Sequence, residues 1–396
     1  MRSNSRPLRG WLAGVALLLA ALACLQQPAL AAAPRIGVVT MEPGEAFWER
    51  FGHDAIVVDD GNRATSYNFG FFDMSEPGFV GNFIRGRMQY YLVALPLADD
   101  LATYDAGGRG VSVQWLDLDP AQARELAASL AINARPENAR YRYDYYTDNC
   151  STRVRDALDR ALGGRLQAQL SGRSRGNTWR SESVRLAWPA KWMALGFHAG
   201  LADVADRPLS RWEEAFIPMR LRESLRLATR ADGRPLVLRE QVLLPHRISL
   251  PPDELPRWRV AALAIGLGVA LTLGWLGRRH PRLLGATAFG LWTLCGGLGA
   301  LMLYIWFGSA HVAGHGNENL LLFSPLCLLL LPTAWRAMRG HGPQRYARIL
   351  LWVVAAGAAI AGFLKFLPFR PQENVEWVLL LLPVHLALAR ALDPRR

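Results

Sequence analysis

The sequence predicts an α+β exported domain followed by an all-α membrane domain of five helices. Three observations carry that expectation: a basic then apolar N-terminus, strand, turn and helix signals over residues 34–256, and five apolar runs beyond Pro256. At 396 residues the chain is long enough for two or three domains. It holds 45 Lys+Arg against 33 Asp+Glu, a formal charge of +12, but the excess is uneven. Residues 34–256 carry 28 bases and 29 acids, whereas residues 257–396 carry 14 bases and 4 acids. The positive charge therefore flanks the apolar runs, where membrane topology accounts for it. A chain built for nucleic acid would carry it on the soluble part, so nucleic acid is excluded as the main partner.

Arg2, Arg6 and Arg9, the apolar stretch Trp11–Leu25 and the small residues Ala29 and Ala31 read as a secretory signal over residues 1–33. An uncleaved anchor and lipidation at Cys24 are the alternatives, with Ala21 standing where a lipidation motif favours Leu. Residues 34–256 then face the periplasm or its equivalent. Phe51–Val58 and Thr65–Phe72 are β-branched and aromatic and flank Asp60-Gly61, which predicts a hairpin. Residues 111–118 predict a strand. Asp119 caps a helix from Pro120, and Asp148/Asn149 precede a second helix ending at Gly163-Gly164. The polar stretch from Leu170 to Ser183 reads as an exposed loop, and residues 210–228 as helical. No internal repeat is visible.

The membrane domain, residues 257–396, has apolar runs near 258–276, 284–307, 320–335, 349–367 and 376–392. Several approach the roughly 20 residues a bilayer core requires. Basic residues fall in alternate loops: Arg278, Arg279 and Arg282, then Arg336, Arg339, Arg345 and Arg348, then the C-terminal tail. The positive-inside rule turns this into five spans with the soluble domain outside and the C-terminus in the cytoplasm.

Four cysteines occur. Cys24 leaves with the signal, and Cys295 and Cys327 lie inside apolar runs. Cys150 is the remaining thiol of the exported domain, without an intramolecular disulfide partner. It opens the second helix, where free N–H groups and the dipole favour a thiolate and can hold an oxyanion. A nucleophile and an inert buried residue are both open readings of that position. A thiol nucleophile needs a base. His198 and His246 have ordinary structural readings and no polar company. His53 lies in the hairpin. If Asp60-Gly61 fills the two central turn positions, His53 faces Asn68, whose amide would orient the imidazole. A one-residue slip would undo that pairing.

GHDAIVV, SYNFGFFD, YYTDNCSTRVRDAL, GNTWR and RWEEAFIP, followed by the apolar runs, resemble the Lnb-type family. That family joins an exported N-terminal domain to a helical membrane domain and includes bacterial lipoprotein N-acyltransferases. The His-before-Cys order is also similar to the permuted papain-like fold of NlpC-type and lecithin retinol acyltransferase-like enzymes. There, a Cys at a helix start packs against a His on an antiparallel sheet. The resemblance implies Cys150 as nucleophile and His53 as general base. It further implies transfer of an acyl chain from a membrane phospholipid to the N-terminal Cys amine of a lipoprotein, at the bacterial inner membrane. A hydrolase or amidase of lipid or cell-wall peptide with the same dyad, and a non-catalytic envelope protein, are the competing readings.

Other motifs weigh less. Gly172-Arg173-Ser174-Arg175-Gly176 matches the G-x-S-x-G elbow, but no buried strand feeds it. No metalloprotease, Walker or dinucleotide motif is present, so no cofactor is expected. His311, His315, Asn317, Glu318 and Asn319 cluster between the second and third runs, on the exported side. They read as a solvated loop, as a metal site through the two histidines, or as residues that bind substrate near Cys150. The expectation is His311, His315, Asn317 and Asn319 as substrate-binding groups, with no metal.

Overall fold

A computed structural model describes residues 32–369 and 372–393. Residues 1–31, with nearly all of the expected signal and Cys24, lie outside the described residues. The soluble part is built on one antiparallel sheet of β1 (Arg35–Met41), β2 (His53–Asp59), β3 (Ala64–Phe71), β4 (Gln89–Pro96), β5 (Val111–Leu116), β6 (Arg140–Arg142) and β7 (Val237–Leu244). The spatial order is β6-β4-β3-β2-β1-β5-β7.

Both faces of the central strands are covered, so β1 and β2 read as apolar runs rather than alternating ones. On one face Ile36, Val38 and Ile56 join a core with α3 (Pro120–Asn133) and α4 (Cys150–Ala161). On the other, Val39, Met41, Ala55 and Val57 pack with Leu97 and Leu101 of α2 (Leu97–Ala106). The short α1 (Phe79–Ile84) lies between β3 and β4 in sequence. Helix α4 crosses β2 and β3 and buries Val154, Ala157 and Leu158 against them. This carries its first residue, Cys150, to the end of β2 that begins with His53.

The hairpin differs from its expected register. Its turn is four residues long: Asp60 N–H donates to Arg63 O, and Asp60 Oδ1 accepts from the N–H groups of Asn62 and Arg63 at 2.9 Å. Ala55, not His53, therefore stands opposite Asn68. The shift is two residues. Because side chains alternate faces with period 2, His53 and Asn68 stay on one face as diagonal neighbours.

The stretch from Leu170 to Ser183 is loop only in its middle. It is flanked by α5 (Arg165–Leu170) and α6 (Trp179–Ala187), the latter capped by Thr178, whose hydroxyl accepts from Ser181 N–H. Arg180 and Glu182 are buried because each has a partner. Arg180 forms a bidentate pair with Asp206 at 2.7 and 2.8 Å, and Glu182 pairs with Arg185 and Arg220. Helix α7 (Lys191–Gly200) follows. Residues 210–228 form a four-residue turn, Arg211–Glu214, and then α8 (Pro218–Leu225), where Pro218 starts a new helix.

The membrane part contains α9 (Arg259–Arg279), α10 (Pro281–Gly308), α11 (Leu331–Met338), α12 (Arg345–Leu364) and α13 (Val375–Ala391). Among the described residues, four stretches are long and apolar enough to cross a membrane: 259–279, 281–308, 318–338 and 345–364. The third is not one regular helix. Two 3-10 segments, Glu318–Leu321 and Pro325–Leu330, precede α11. The break at Ser324-Pro325 frees backbone carbonyls, which are costly in lipid unless re-paired. His385 of α13 supplies a partner, its Nε2 donating to Leu322 O at 2.8 Å. Helix α13, 17 residues long, packs along α9 and α12. Gly266 makes this approach possible, since a Cβ there would fall 2.6 Å from the carbonyls of Leu379 and Leu380.

Candidate active site

Cys150 is half-buried at the first turn of α4. Asn149 caps that helix: its Oδ1 accepts from Thr152 N–H at 2.9 Å, and its Nδ2 donates to Tyr145 O and Phe216 O. Asp148 is spent outside the cap, on Arg153. The backbone N–H groups of Asp54, Ser151 and Cys150 face the sulfur and favour its thiolate, as expected for a helix start. Burial opposes them and wins, pushing the thiol up to about 12. Burial thus favours the thiol over the thiolate that the helix start would stabilise.

His53 is also held neutral. Burial, and then the nearby Arg109 guanidinium, push it down to about 4, against a smaller opposing effect from its hydrogen bond to Asn68. Its Nε2 lies 3.1 Å from Asn68 Oδ1. The tautomer follows from what stands behind Asn68. The Asn68 Nδ2 group donates to Asp100 Oδ2 at 2.6 Å and to Ser66 Oγ at 3.0 Å. That orients the amide oxygen toward His53, so Nε2 carries the proton and Nδ1 keeps its lone pair. No hydrogen bond joins thiol and imidazole in this resting form, and such bonds tighten when substrate binds. Asp100, buried in the first turn of α2, was not found from the sequence. It lies 32 positions from Asn68 and outside any motif.

Beneath Cys150 sits a second polar group that the sequence reading passed over. Asp54 is fully buried and contacts Thr40 Oγ1 and Ser151 Oγ, both at 2.8 Å. Ser151 Oγ also lies 2.7 Å from Ala215 O. A hydroxyl has one proton and a carbonyl can only accept, so the Ala215 bond uses the Ser151 proton. The remaining contact then needs a proton on Asp54. Burial acts in the same direction, pushing this carboxyl up to about 6. The signal was adjacency alone, Asp54 beside His53 and Ser151 beside Cys150.

A third polar atom has no partner. The Tyr141 hydroxyl, on β6, is buried without a hydrogen bond, an arrangement that costs about 1–3 kcal/mol. It borders Gly70, whose φ of +96° suits glycine. A Cβ on Gly70 would lie 3.5 Å from Cys150 Cβ and 3.8 Å from the Tyr141 oxygen.

The loop residues expected to bind substrate are committed to the domain joint. His311 Nε2 donates to Phe83 O at 2.9 Å, which leaves Nδ1 to accept from Tyr145 O–H at 3.0 Å. His315 Nε2 is 3.2 Å from Ser309 O. Asn317 and Asn319 are buried, and both amides donate to Ala199 O at 2.8 Å. Asn317 Oδ1 accepts from Asn319 N–H and from Gln372 Nε2, and Asn319 Oδ1 accepts from Asn374. Two other histidines have more polar company than expected. His198 Nε2 lies 3.6 Å from Glu376 Oε2, and His246 Nδ1 accepts from Gly110 N–H at 3.0 Å. Ser174, in the G-x-S-x-G match, sits in a loop with its hydroxyl on Leu209 O.

Comparison with known proteins fits this two-part build. Residues 29–185 match the model of the Lnb N-terminal periplasmic domain, and residues 257–392 match that of the Lnb transmembrane domain. No curated protein and no solved structure matches. With both domain models matched in order, the chain is a membrane protein with a periplasmic domain and belongs to the Lnb-type family.

Proposed function

We propose that this protein is a membrane-bound thiol acyltransferase. It moves an acyl chain from a phospholipid to the N-terminal Cys amine of a lipoprotein through a Cys150 acyl-enzyme. The observation that carries the reading is the corner where α4 meets β2: a lone thiol at a helix start, facing the Asp54 N–H, and in the preceding position of β2 a histidine whose tautomer is set by Asn68 and Asp100. The sheet with its Cys-bearing helix is on this reading a permuted papain-like core, and α13 is a fifth span that leaves the C-terminus in the cytoplasm of an inner-membrane protein. The alternating basic loops and the contacts of residues 309–319 with the soluble domain support that topology.

In the first half-reaction His53 Nδ1 takes the thiol proton as Sγ attacks the ester carbonyl. The lysophospholipid alkoxide leaves with the proton from His53, and a thioester remains. An amine then attacks the thioester, its proton passes to His53, and the thiol departs reprotonated, leaving an amide. As they rest, the two groups oppose this transfer, so on this reading bound substrate brings their proton affinities closer before the proton moves. The sequestered corner disfavours water, while a bound amine gains effective molarities of roughly 10⁵–10⁸ M by position.

Intact-mass analysis of the protein with labelled phospholipid in detergent tests the reading. An acyl adduct should appear on Cys150, vanish in Cys150→Ala and His53→Ala, and discharge to a triacylated product when a diacylated lipopeptide is added. Release only as free fatty acid, with or without the lipopeptide, would replace the transferase by a hydrolase. Undiminished turnover by Cys150→Ala would end the thiol mechanism.

A further inference from the structure

The Tyr141 hydroxyl is shielded from water, carries a donor proton and bonds to nothing. Its surroundings are specific. The point above Gly70, where a Cβ is absent, lies 3.8 Å from the Tyr141 oxygen, 3.5 Å from Cys150 Cβ and 4.0 Å from Cys150 backbone N. One small space is thus bordered by the thiol-bearing carbon, by a backbone amide of the free first turn of α4, and by an unspent phenol. Those are the parts an acyl-transfer site needs around a carbonyl oxygen that becomes an oxyanion. We propose that Tyr141 is a catalytic residue, its hydroxyl and the Cys150 backbone N–H together holding the oxyanion over Gly70. This rests on Cys150 acting as an acylated nucleophile.

The step balances without any further reagent. Sγ forms its bond to the carbonyl carbon, and the π pair moves to oxygen, which accepts from Tyr141 O–H and Cys150 N–H. When the ester C–O bond breaks, the pair returns to the carbonyl and both hydrogen bonds relax. The same cycle serves attack by the amine. Tyr141 keeps its proton throughout, and burial raises its phenol well above the ordinary tyrosine value, which holds it as a donor. The Arg153 guanidinium, 3.9 Å from the centre of the ring and anchored by Asp148, draws density from the ring and sharpens that donor. Gly70 is needed because any side chain there would enter the space, on a backbone that L residues rarely adopt.

The test uses the full chain in detergent micelles with p-nitrophenyl octanoate, whose p-nitrophenolate burst reports acylation. Tyr141→Phe removes only an atom without a partner, so its melting temperature should match or exceed wild type. Its alkylation by iodoacetamide, a reaction with no oxyanion, should be unchanged. Acylation should fall about 10²–10³-fold. In the ¹³C-labelled acyl-enzyme, the thioester carbonyl stretch should move to higher frequency in Tyr141→Phe. Acylation within threefold of wild type overturns the inference. So does a parallel loss of stability and alkylation, which would make Tyr141 structural. A burst that persists in Cys150→Ala, or a wild type that gives none, would sink the thiol reading itself.

Discussion

The corner around Cys150 and the joint around Asn319 are made from the same residue types, and along the chain they look equally functional. They differ in what their polar atoms have already done. At the joint, Asn317, Asn319 and Gln372 spend both faces of their amides on carbonyls, on N–H groups and on one another. At the corner, His53 Nδ1, the Cys150 thiol and the Tyr141 hydroxyl are unspent. Saturated polar clusters hold a fold together, and unsaturated ones wait for a ligand. The orphan costs stability, which is tolerable only where something else benefits.

Beyond the dyad and Tyr141, the largest effect should come from Asp100. In Asp100→Ala only Ser66 is left to hold the Asn68 amide, which can then more readily turn its NH₂ toward His53 and favour the other tautomer. Turnover should fall on the order of 10²-fold with the melting temperature little changed. Wild-type turnover in a folded Asp100→Ala protein would remove Asp100 from the site.

The joint should respond in the opposite sense. Asn319→Ala leaves the buried Asn374 amide without its acceptor and Ala199 O with Asn317 alone, costing about 1–3 kcal/mol in thermal or denaturant unfolding. Activity per folded molecule should survive. If turnover collapses while stability holds, Asn319 belongs to the site.

A smaller, graded effect is expected in the pH dependence of iodoacetamide labelling. With the thiol pushed up to about 12 and His53 down to about 4, labelling of Cys150 should rise steadily with pH to 9 or 10. A plateau beginning near pH 5 would reveal a thiolate–imidazolium pair instead.

The smallest change should follow Asp54→Asn. The folded protein raises this carboxyl from 3.8 to about 6, so folding favours its neutral form. Its stabilising contribution is complete below pH 3.8 and is lost as pH rises through 6. Asparagine escapes that loss. Asp54→Asn should therefore equal wild type near pH 4 and gain up to about 1–3 kcal/mol at pH 8. A lower melting temperature at pH 8 would mean that folding favours the charged carboxylate over the neutral form.

Legibility followed the range of the interaction. The Asp119 and Asn149 ends of α3 and α4 were readable because caps are local. The His53–Asn68 contact was expected for an incomplete reason: the turn is two residues longer than supposed, and the period of a strand hid the error. Asp100 and Tyr141 gave no sign because they meet Asn68 and Gly70 only through the fold. Trp179–Ser183, the first half of α6, reads as part of a solvated loop because Arg180 and Glu182 look exposed until Asp206 and Arg220 are known. In the polar loop after α10, composition does not say which hydrogen bonds are already made.

The joint also has a consequence in time. The carbonyl of Ala199 finds its partners in Asn317 and Asn319, and the N–H of Ala202 donates to Ala313 O, more than 100 residues later in the chain. During synthesis the N-terminal domain is therefore complete in sequence well before it is complete in bonding. Its last contacts close only after α9 and α10 have been made and the turn beyond α10 has returned to the exported side. Maturation of the Cys150 domain is thereby tied to insertion of its own anchor, and a chain released early would reach the periplasm unfinished.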